Sequence, residues 1–369
     1  MSYKNKSGIW SRLLNVQSIF SFAQNFLLHT MAGQKLFLFG GKLPRVINVS
    51  FNEKTCMFSC RMCPFSSDTV REMYKKRSEM EFSTFKKLVD SLPNDSYYSI
   101  DISAIGETLE YRHLGECLRY LSKSKPKINS IISTNALLLK GKVAEQVLTS
   151  GLKNIQLSLY EGTKERHEFV TQTNTFDRVS ENVRNFYKKR AELGLSQKDI
   201  FIQVFMIGTK ENEKLRDQFL EAFTPYSDKA FVRPMYNLGE PIHGMTPDFE
   251  ETPNENRYPC IAPWYSTSIR SNGDVLACYA FNWHKTEKDS MVIGNINDHT
   301  LQEIYASEKM QSFREAHLNQ ELESNPVCQK CDLWSAYTNV WEADGNSFKP
   351  APLKVVDFFT PAPSDHRGG

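Results

Sequence analysis

The sequence has few cysteines, little net charge and no long uninterrupted apolar run. Eight cysteines in 369 residues are too few and too widely spread for the disulfide framework of a small secreted protein. The 45 basic and 43 acidic residues leave a formal charge of +2, so no overall field draws the chain to nucleic acid or to an anionic membrane. These features favour a protein of the reducing cytoplasm that handles a small polar substrate.

The apolar stretch near the N-terminus, residues 18–39, is interrupted by Gln24, His29, Gln34 and Lys35. A membrane-spanning helix needs about 20 consecutive apolar residues, and no secretory leader with a cleavage site frames this stretch. We therefore predict an N-terminal helical segment, residues 1–45, that packs on the body of the protein, and we expect no membrane contact.

Alternating, β-branched runs recur from residue 46 onward and predict six strands: 46–52, 97–105, 128–135, 152–160, 199–208 and 229–236. Helical patterns lie between them: 81–92 with Ser83 at its N-cap, 112–123, 139–150, 175–193 and 212–223. This order predicts an α/β fold, a partial (βα)6 TIM-like barrel over residues 46–240. In such barrels the chemistry lies at the carboxyl ends of the strands.

The periodic pattern stops in a Pro- and acid-rich stretch that begins near Gly239. We predict that a second, smaller domain spans residues 241–342. It contains a hairpin with an Asn272-Gly273 turn and a helix near 299–317. A proline-containing tail, residues 343–369, follows.

Three cysteines lie within eight positions in "TCMFSCRMCPF", as Cys56, Cys60 and Cys63. Structural zinc is normally closed by four ligands, and the nearest histidines, His29 and His113, are distant in sequence. In a [4Fe–4S] cluster, three thiolates leave the fourth iron open to a small molecule. The spacing therefore favours an iron–sulfur cluster, with zinc as the alternative.

This Cys-x3-Cys-x2-Cys spacing, in the loop after the first strand of a βα barrel, resembles that of the radical S-adenosylmethionine (radical SAM) superfamily. The resemblance implies that the open iron binds SAM and that an electron from the cluster cleaves it to a 5′-deoxyadenosyl radical, which abstracts a hydrogen atom. Met62 stands where the family usually has an aromatic residue, and its thioether can lie against adenine.

Shorter motifs resemble the family's other cofactor-binding stretches. "AIGETLE" is similar to Gly-Gly-Glu-Pro, although Ile105 and Thr108 replace a glycine and the proline; "STNA" is similar to Ser/Thr-Asn-Gly, and "SLYEG" to Ser-Leu-Asp-Gly. An ordinary turn or helix surface is the alternative for each. The residues that the resemblance assigns to SAM are Gly106, Glu107, Ser133, Asn135 and Ser158, with Arg166 as the candidate partner of its carboxylate.

A second cysteine set, Cys260, Cys278, Cys328 and Cys331, has a different spacing. Its order of a cysteine, a hairpin ending in Gly-x4-Cys, a helix and Cys-x2-Cys resembles the SPASM/twitch extensions of radical SAM enzymes, in the shorter twitch form. The resemblance implies one auxiliary [4Fe–4S] cluster. Four thiolates leave no open iron, so this cluster suits electron transfer; a four-cysteine zinc site is the alternative.

An auxiliary electron acceptor favours oxidation of an alcohol carbon in a sugar or aminocyclitol. The alternatives are a radical epimerase, a peptide maturase, or a non-catalytic metal-stabilised or electron-transfer protein. Cys117 is the candidate hydrogen donor for epimerisation, although its helix pattern predicts a core residue. Arg233 is a candidate substrate contact. The expected partners are SAM, a reductant such as flavodoxin or ferredoxin, and a small polar substrate or peptide. Further candidates for the substrate face are Asn237, His243, Trp264, Trp283 and His284.

Overall fold

The computed structural model describes residues 42–74, 79–103, 105–159, 161–236, 257–283 and 291–335, and the backbone of 341–344 and 347–350. The predicted N-terminal helix, most of the linker and most of the tail lie outside these residues. Within the described ranges, no helix has the length and apolar character needed to cross a membrane.

The first part of the sheet consists of parallel strands that follow one another in sequence order. They are β1 (Val46–Val49), β2 (Ser99–Ile102), β3 (Asn129–Thr134), β4 (Asn154–Ser158), β5 (Phe201–Gly208) and β6 (Lys229–Pro234). The six predicted strands and their parallel arrangement are therefore confirmed.

One face of these strands is packed against helices. Ile102, Ile132, Ile155 and Ile202 pair in direct register across β2 to β5, and all four are fully buried. Because successive side chains of a strand point to opposite faces, the residues between these isoleucines face the interior of the barrel. Many of these inward-facing residues are polar, so the barrel interior can bind a polar ligand.

The helices of the described residues are between four and 17 residues long. They are α1 (Asp68–Tyr74), α2 (Phe82–Ser91), α3 (Leu114–Ser124), α4 (Gly141–Leu148), α5 (Lys164–Thr171), α6 (Phe176–Glu192), α7 (Arg216–Phe223), α8 (Ala262–Tyr265), α9 (Leu301–Tyr305), α10 (Glu308–Leu318) and α11 (Pro326–Lys330).

Two helix predictions were wrong in detail. The N-cap of α2 is Glu81 instead of Ser83, because the Glu81 carbonyl already accepts the amides of Thr84 and Phe85. The helix predicted over 299–317 is divided into α9 and α10, because the Ser307 side chain accepts the Met310 amide and starts a second helix.

The C-terminal part of the chain continues the same sheet. β7 (Ser266–Ile269) pairs in parallel with β1, and β8 (Asp274–Leu276) and β9 (Val292–Asn295) follow in antiparallel order. The predicted hairpin is confirmed, with Gly273 at φ +90° in its turn. Its parallel pairing with β1 was not predicted. A separate hairpin, β10 (Trp341–Asp344) and β11 (Ser347–Pro350), crosses the predicted boundary at residue 343.

Candidate active site

The first cysteine set lies in the loop after β1, at the carboxyl end of the parallel strands. Cys60 is buried, whereas Cys56 and Cys63 are partly exposed. The loop is fixed to the end of α5 by two backbone hydrogen bonds, from Ser59 to Thr171 at 3.2 Å and from Arg61 to Val170 at 2.9 Å. The three thiols are thereby held against the fourth βα unit.

Their environment disfavours free thiolates. Burial raises the pKa of Cys56 to about 12, and the charges of Glu107 and Cys63 act in the same direction. Burial also raises the pKa of Cys60 and of Cys63 above their ordinary value. Since a bound metal cation deprotonates a coordinating thiol outright, this donor set fits a metal centre better than isolated reactive thiolates.

Glu107 joins the ends of β2 and β3 beneath this loop. Its carboxylate accepts hydrogen bonds from Thr134 Oγ1 at 2.5 Å and from the backbone amides of Leu109 and Asn135 at 3.0 Å. The Asn135 side-chain nitrogen lies 3.9 Å from Cys56 Sγ. Both carboxylate oxygens are thus used within the protein, and Glu107 orients the residue that contacts the cysteine loop.

Gly106 has no room for a side chain. Its φ is +68°, and an added Cβ would lie 2.3 Å from the carbonyl oxygen of Asn52 and 2.8 Å from that of Thr55. The amide of the next residue, Glu107, donates to that Thr55 carbonyl at 3.0 Å. The glycine therefore allows β2 to contact the chain just before Cys56.

The other residues assigned by resemblance occupy different positions around the barrel. Met62 is partly buried against the core, and Ser158 is buried at the end of β4. Arg166 pairs with the buried carboxylate of Glu161 at 3.3 Å, while its Nε has no partner among the described residues. The ion pair with Glu161 thus holds one end of the Arg166 guanidinium.

Polar residues from four strands line the barrel interior, and sequence reasoning identified only two of them. Gln156 Oε1 accepts a hydrogen bond from Arg233 at 3.1 Å and contacts Ser133 Oγ at 3.4 Å. The Arg233 guanidinium lies 4.1 Å from the centre of the Phe205 ring. Asp101 accepts a hydrogen bond from Ser103. Desolvation raises the pKa of Asp101, whereas the Ser103 hydrogen bond and the Arg233 charge act in the opposite direction.

Tyr279 lies near this polar group and near the first cysteine set. It follows Cys278 in the sequence and packs beside Tyr74 and Ile105. Desolvation raises the pKa of Tyr279, and the charges of Asp101 and Cys63 add to the effect. The C-terminal part of the chain thus contributes a side chain to the environment of the barrel interior.

The second cysteine set lines one cavity, with Arg257 and His317 in the same wall. Burial raises the pKa of Cys260 to about 11 and of Cys328 to about 12, and it also raises that of Cys278 and Cys331. In the described part of the chain, no three His, Cys, Asp or Glu side chains converge as tightly as a single metal ion would require. Four thiols around one cavity are the donor set that holds an iron–sulfur cluster.

Cys117 lies away from both sets. It is fully buried in α3, with its sulfur 3.9 Å from the Tyr111 hydroxyl. Trp264 is partly buried in α8, and only the backbone of Trp283 is described. Asn237, His243 and His284 lie outside the described residues.

Two family models match the chain. The model for the radical SAM superfamily matches residues 54–222, which contain the first cysteine set. A second model, for the SPASM iron–sulfur cluster-binding domain, matches residues 260–332, which contain all four cysteines of the second set. The chain belongs to the radical SAM superfamily. A radical SAM domain binds a [4Fe–4S] cluster with SAM, and a SPASM domain binds auxiliary iron–sulfur clusters.

Solved structures of other radical SAM proteins share the fold. BtrN in complex with AdoMet and 2-DOIA is 20% identical, with a TM-score of 0.52 over 79% of this chain and 93% of that chain. SuiB from Streptococcus suis, bound to precursor peptide SuiA, is 16% identical, with a TM-score of 0.58 over 90% and 79%. Native anSMEcpe with bound AdoMet and Cp18Cys peptide is 15% identical, with a TM-score of 0.54 over 79% and 90%. No curated protein matched the sequence.

Proposed function

We propose that this radical SAM enzyme oxidises an alcohol carbon of a sugar or aminocyclitol to a ketone. The observation that carries the proposal is the polar lining of the barrel interior, where Asp101, Gln156 and Arg233 lie on the inner faces of three strands. Hydroxyl-rich molecules need both donors and acceptors, and this group offers a guanidinium, an amide and a carboxylate.

We assign Cys56, Cys60 and Cys63 to the SAM-binding cluster, and Cys260, Cys278, Cys328 and Cys331 to one auxiliary cluster. When bound, the first cluster and SAM supply a radical that removes a hydrogen atom from carbon, and the auxiliary cluster supplies an acceptor for one electron. An external reductant such as flavodoxin or ferredoxin would provide the starting electron.

Asp101 is the residue that we propose as the proton acceptor. Oxidation of an alcohol to a ketone releases a hydrogen atom from carbon, one electron and the hydroxyl proton. A carboxylate with a raised pKa is a stronger base than an ordinary one, and desolvation raises the pKa of Asp101. Arg233 would hold a second oxygen of the substrate, and the hydrogen bond from Arg233 to Gln156 fixes the guanidinium.

Two further findings support oxidation of a small molecule. BtrN has this fold and was solved with AdoMet and 2-DOIA together. Cys117, the candidate donor for epimerisation, is fully buried in a helix outside the barrel. Peptide modification is the second candidate, because SuiB and anSMEcpe have the fold and were solved with peptides.

The test uses anaerobically prepared protein with SAM, a reductant and a panel of sugars, aminocyclitols and peptides. We expect release of 5′-deoxyadenosine and a product two hydrogens lighter than a polyol substrate. The Asp101→Asn variant should still cleave SAM slowly but lose this product, whereas the matched Asp95→Asn variant should behave like the wild type. Solvent deuterium gained at carbon without loss of mass would indicate epimerisation, and modification of peptides alone would contradict the proposal.

A further inference from the structure

Within the described residues, His317 is a buried histidine without a hydrogen-bond partner. It lies on α10, is 2% exposed, and neither of its ring nitrogens has a partner in the described part of the chain. The ring packs edge-on against Phe313, with the centroids 4.9 Å apart. Nearly all buried polar groups are hydrogen-bonded, and an unpaired one destabilises the folded protein. The unpaired ring therefore requires an explanation.

The surroundings of His317 supply one. The residue lines the cavity that all four cysteines of the second set also line. In either tautomer a neutral imidazole carries one N–H donor, and a protonated imidazole carries two. Whatever its protonation state, His317 thus brings at least one N–H donor to a cavity that four cysteine thiols also line.

Arg257 adds a second donor to the same cavity wall. Its Nη2 donates to the Cys328 carbonyl at 2.6 Å and its Nη1 to the Gln329 carbonyl at 3.3 Å, so the guanidinium is anchored to α11. Its Nε is buried and has no partner among the described residues. Two segments far apart in sequence therefore leave buried N–H groups at one cavity without acceptors in the described part of the chain.

We propose that His317, assisted by Arg257, donates a hydrogen bond to the sulfur atoms of the auxiliary cluster and raises the cluster's reduction potential. Reduction adds negative charge to an iron–sulfur cluster, and a donor to its sulfurs stabilises the reduced form. A higher potential makes the cluster a better electron acceptor. The proposal depends on the assignment of the second cysteine set, but it does not depend on an alcohol substrate.

The reduction potential provides the test. The full-length Cys56→Ala, Cys60→Ala, Cys63→Ala variant removes the first cluster, so a redox titration followed by electron paramagnetic resonance (EPR) reports the auxiliary cluster alone. In this background His317→Leu should lower the equilibrium constant for reduction about tenfold, which is about 59 mV for one electron. His317→Gln or His317→Asn restores an amide N–H, and we expect one of them to recover most of the potential.

Phe313→Leu is the matched control, because it changes the packing against the same ring without removing a donor. Its potential should stay close to that of the parent. A His317→Leu protein with a full complement of iron and an unchanged potential would overturn the proposal.

A second measurement does not depend on the substitution. With histidine labelled with ¹⁵N, pulsed EPR of the reduced auxiliary cluster should detect a nitrogen coupling, because His317 is the histidine that lines the cavity among the described residues. Absence of this coupling would contradict the proposal. Absence of any second cluster would overturn the cysteine assignment as well, whereas a peptide product would contradict only the alcohol substrate.

Discussion

The side-chain nitrogen of Asn135 lies 3.9 Å from the sulfur of Cys56, although the two residues are 79 positions apart. Asn135 Oδ1 accepts the Leu137 amide at 3.0 Å, which fixes the orientation of the side chain. The end of β3 thus presents a neutral donor to the first cysteine set. The family resemblance assigns this asparagine to SAM, and the structure adds a contact to a proposed cluster ligand.

Asn135→Asp should make the reduction potential of the first cluster more negative. The substitution keeps the acceptor for Leu137 but replaces the donor near Cys56 by a negative charge, which disfavours the reduced form. EPR-monitored titration without SAM measures the change. Asn154→Asp adds the same charge at the amino end of β4 and serves as the control. Equal potentials in the two variants would contradict the predicted role.

Gly106→Ala should prevent assembly of the first cluster. The methyl group would overlap two carbonyls of the loop before Cys56, and the left-handed backbone alone costs about 1–2 kcal/mol. Gly141 provides a control, since it also has a positive φ but has nothing within 4 Å of an added Cβ. Iron content and urea unfolding should separate the two: only Gly106→Ala should lose iron.

The proposed role of Asp101 as proton acceptor predicts that activity depends on pH. The carboxylate must be ionised to accept a proton, so activity should fall as the pH drops through its raised pKa. The groups that face it are Ser103 from the same strand end, Arg233 from β6 and Tyr279 after β8. Ser103→Ala removes a hydrogen bond that favours the ionised form, so it should move the acid limb of kcat/KM to higher pH. An unmoved limb would exclude Asp101 as the base.

The buried ion pair between Arg190 and Asp228 should dominate the stability of the β5–β6 edge. Arg190 donates to both carboxylate oxygens of Asp228, and the same carboxylate accepts the Ile202 amide at 2.8 Å. Asp228→Ala leaves a buried charge unpaired and should lower the free energy of unfolding by about 3–5 kcal/mol. Glu192→Ala, which removes only exposed pairs, should cost less than about 1 kcal/mol. Urea unfolding compares the two.

Cys117→Ala should leave turnover close to the wild-type value. The thiol packs in the helix layer beside Tyr111, so its removal should reduce stability by about 1 kcal/mol without affecting hydrogen transfer. Product formation and thermal unfolding are the measurements. A loss of product with normal release of 5′-deoxyadenosine would instead assign a chemical role to this residue.

The sequence was most informative where the signal is local. The alternating runs predicted all six parallel strands. The spacing of seven cysteines predicted two sets, and the four cysteines of the second set line one cavity. The pairing of β7 with β1 was not predicted. A turn signal such as Asn272-Gly273 predicts a hairpin, but it does not indicate which edge of the sheet the hairpin pairs with.

The site residues that were missed are single polar side chains in ordinary patterns. Asp101 in "SIDI" and Gln156 in "NIQLS" occupy inward positions of their strands, and this alternation was the available signal. His317 lies in the last turn of α10, and only its tertiary environment reveals that it is buried beside the second cysteine set. The position of Tyr279 depends on where β8 ends relative to β2, and no local sequence pattern encodes this relationship.

The parallel pairing of β1 with β7 also constrains biosynthesis. One edge of β1 must wait for a strand about 220 residues later in the chain, roughly 10–45 s at ribosomal rates of about 5–20 residues per second. During that interval the nascent chain carries an open strand edge next to three unliganded thiols, a combination prone to aggregation and oxidation. A low growth temperature, a supply of chaperones and available iron during translation should therefore raise the yield of intact protein.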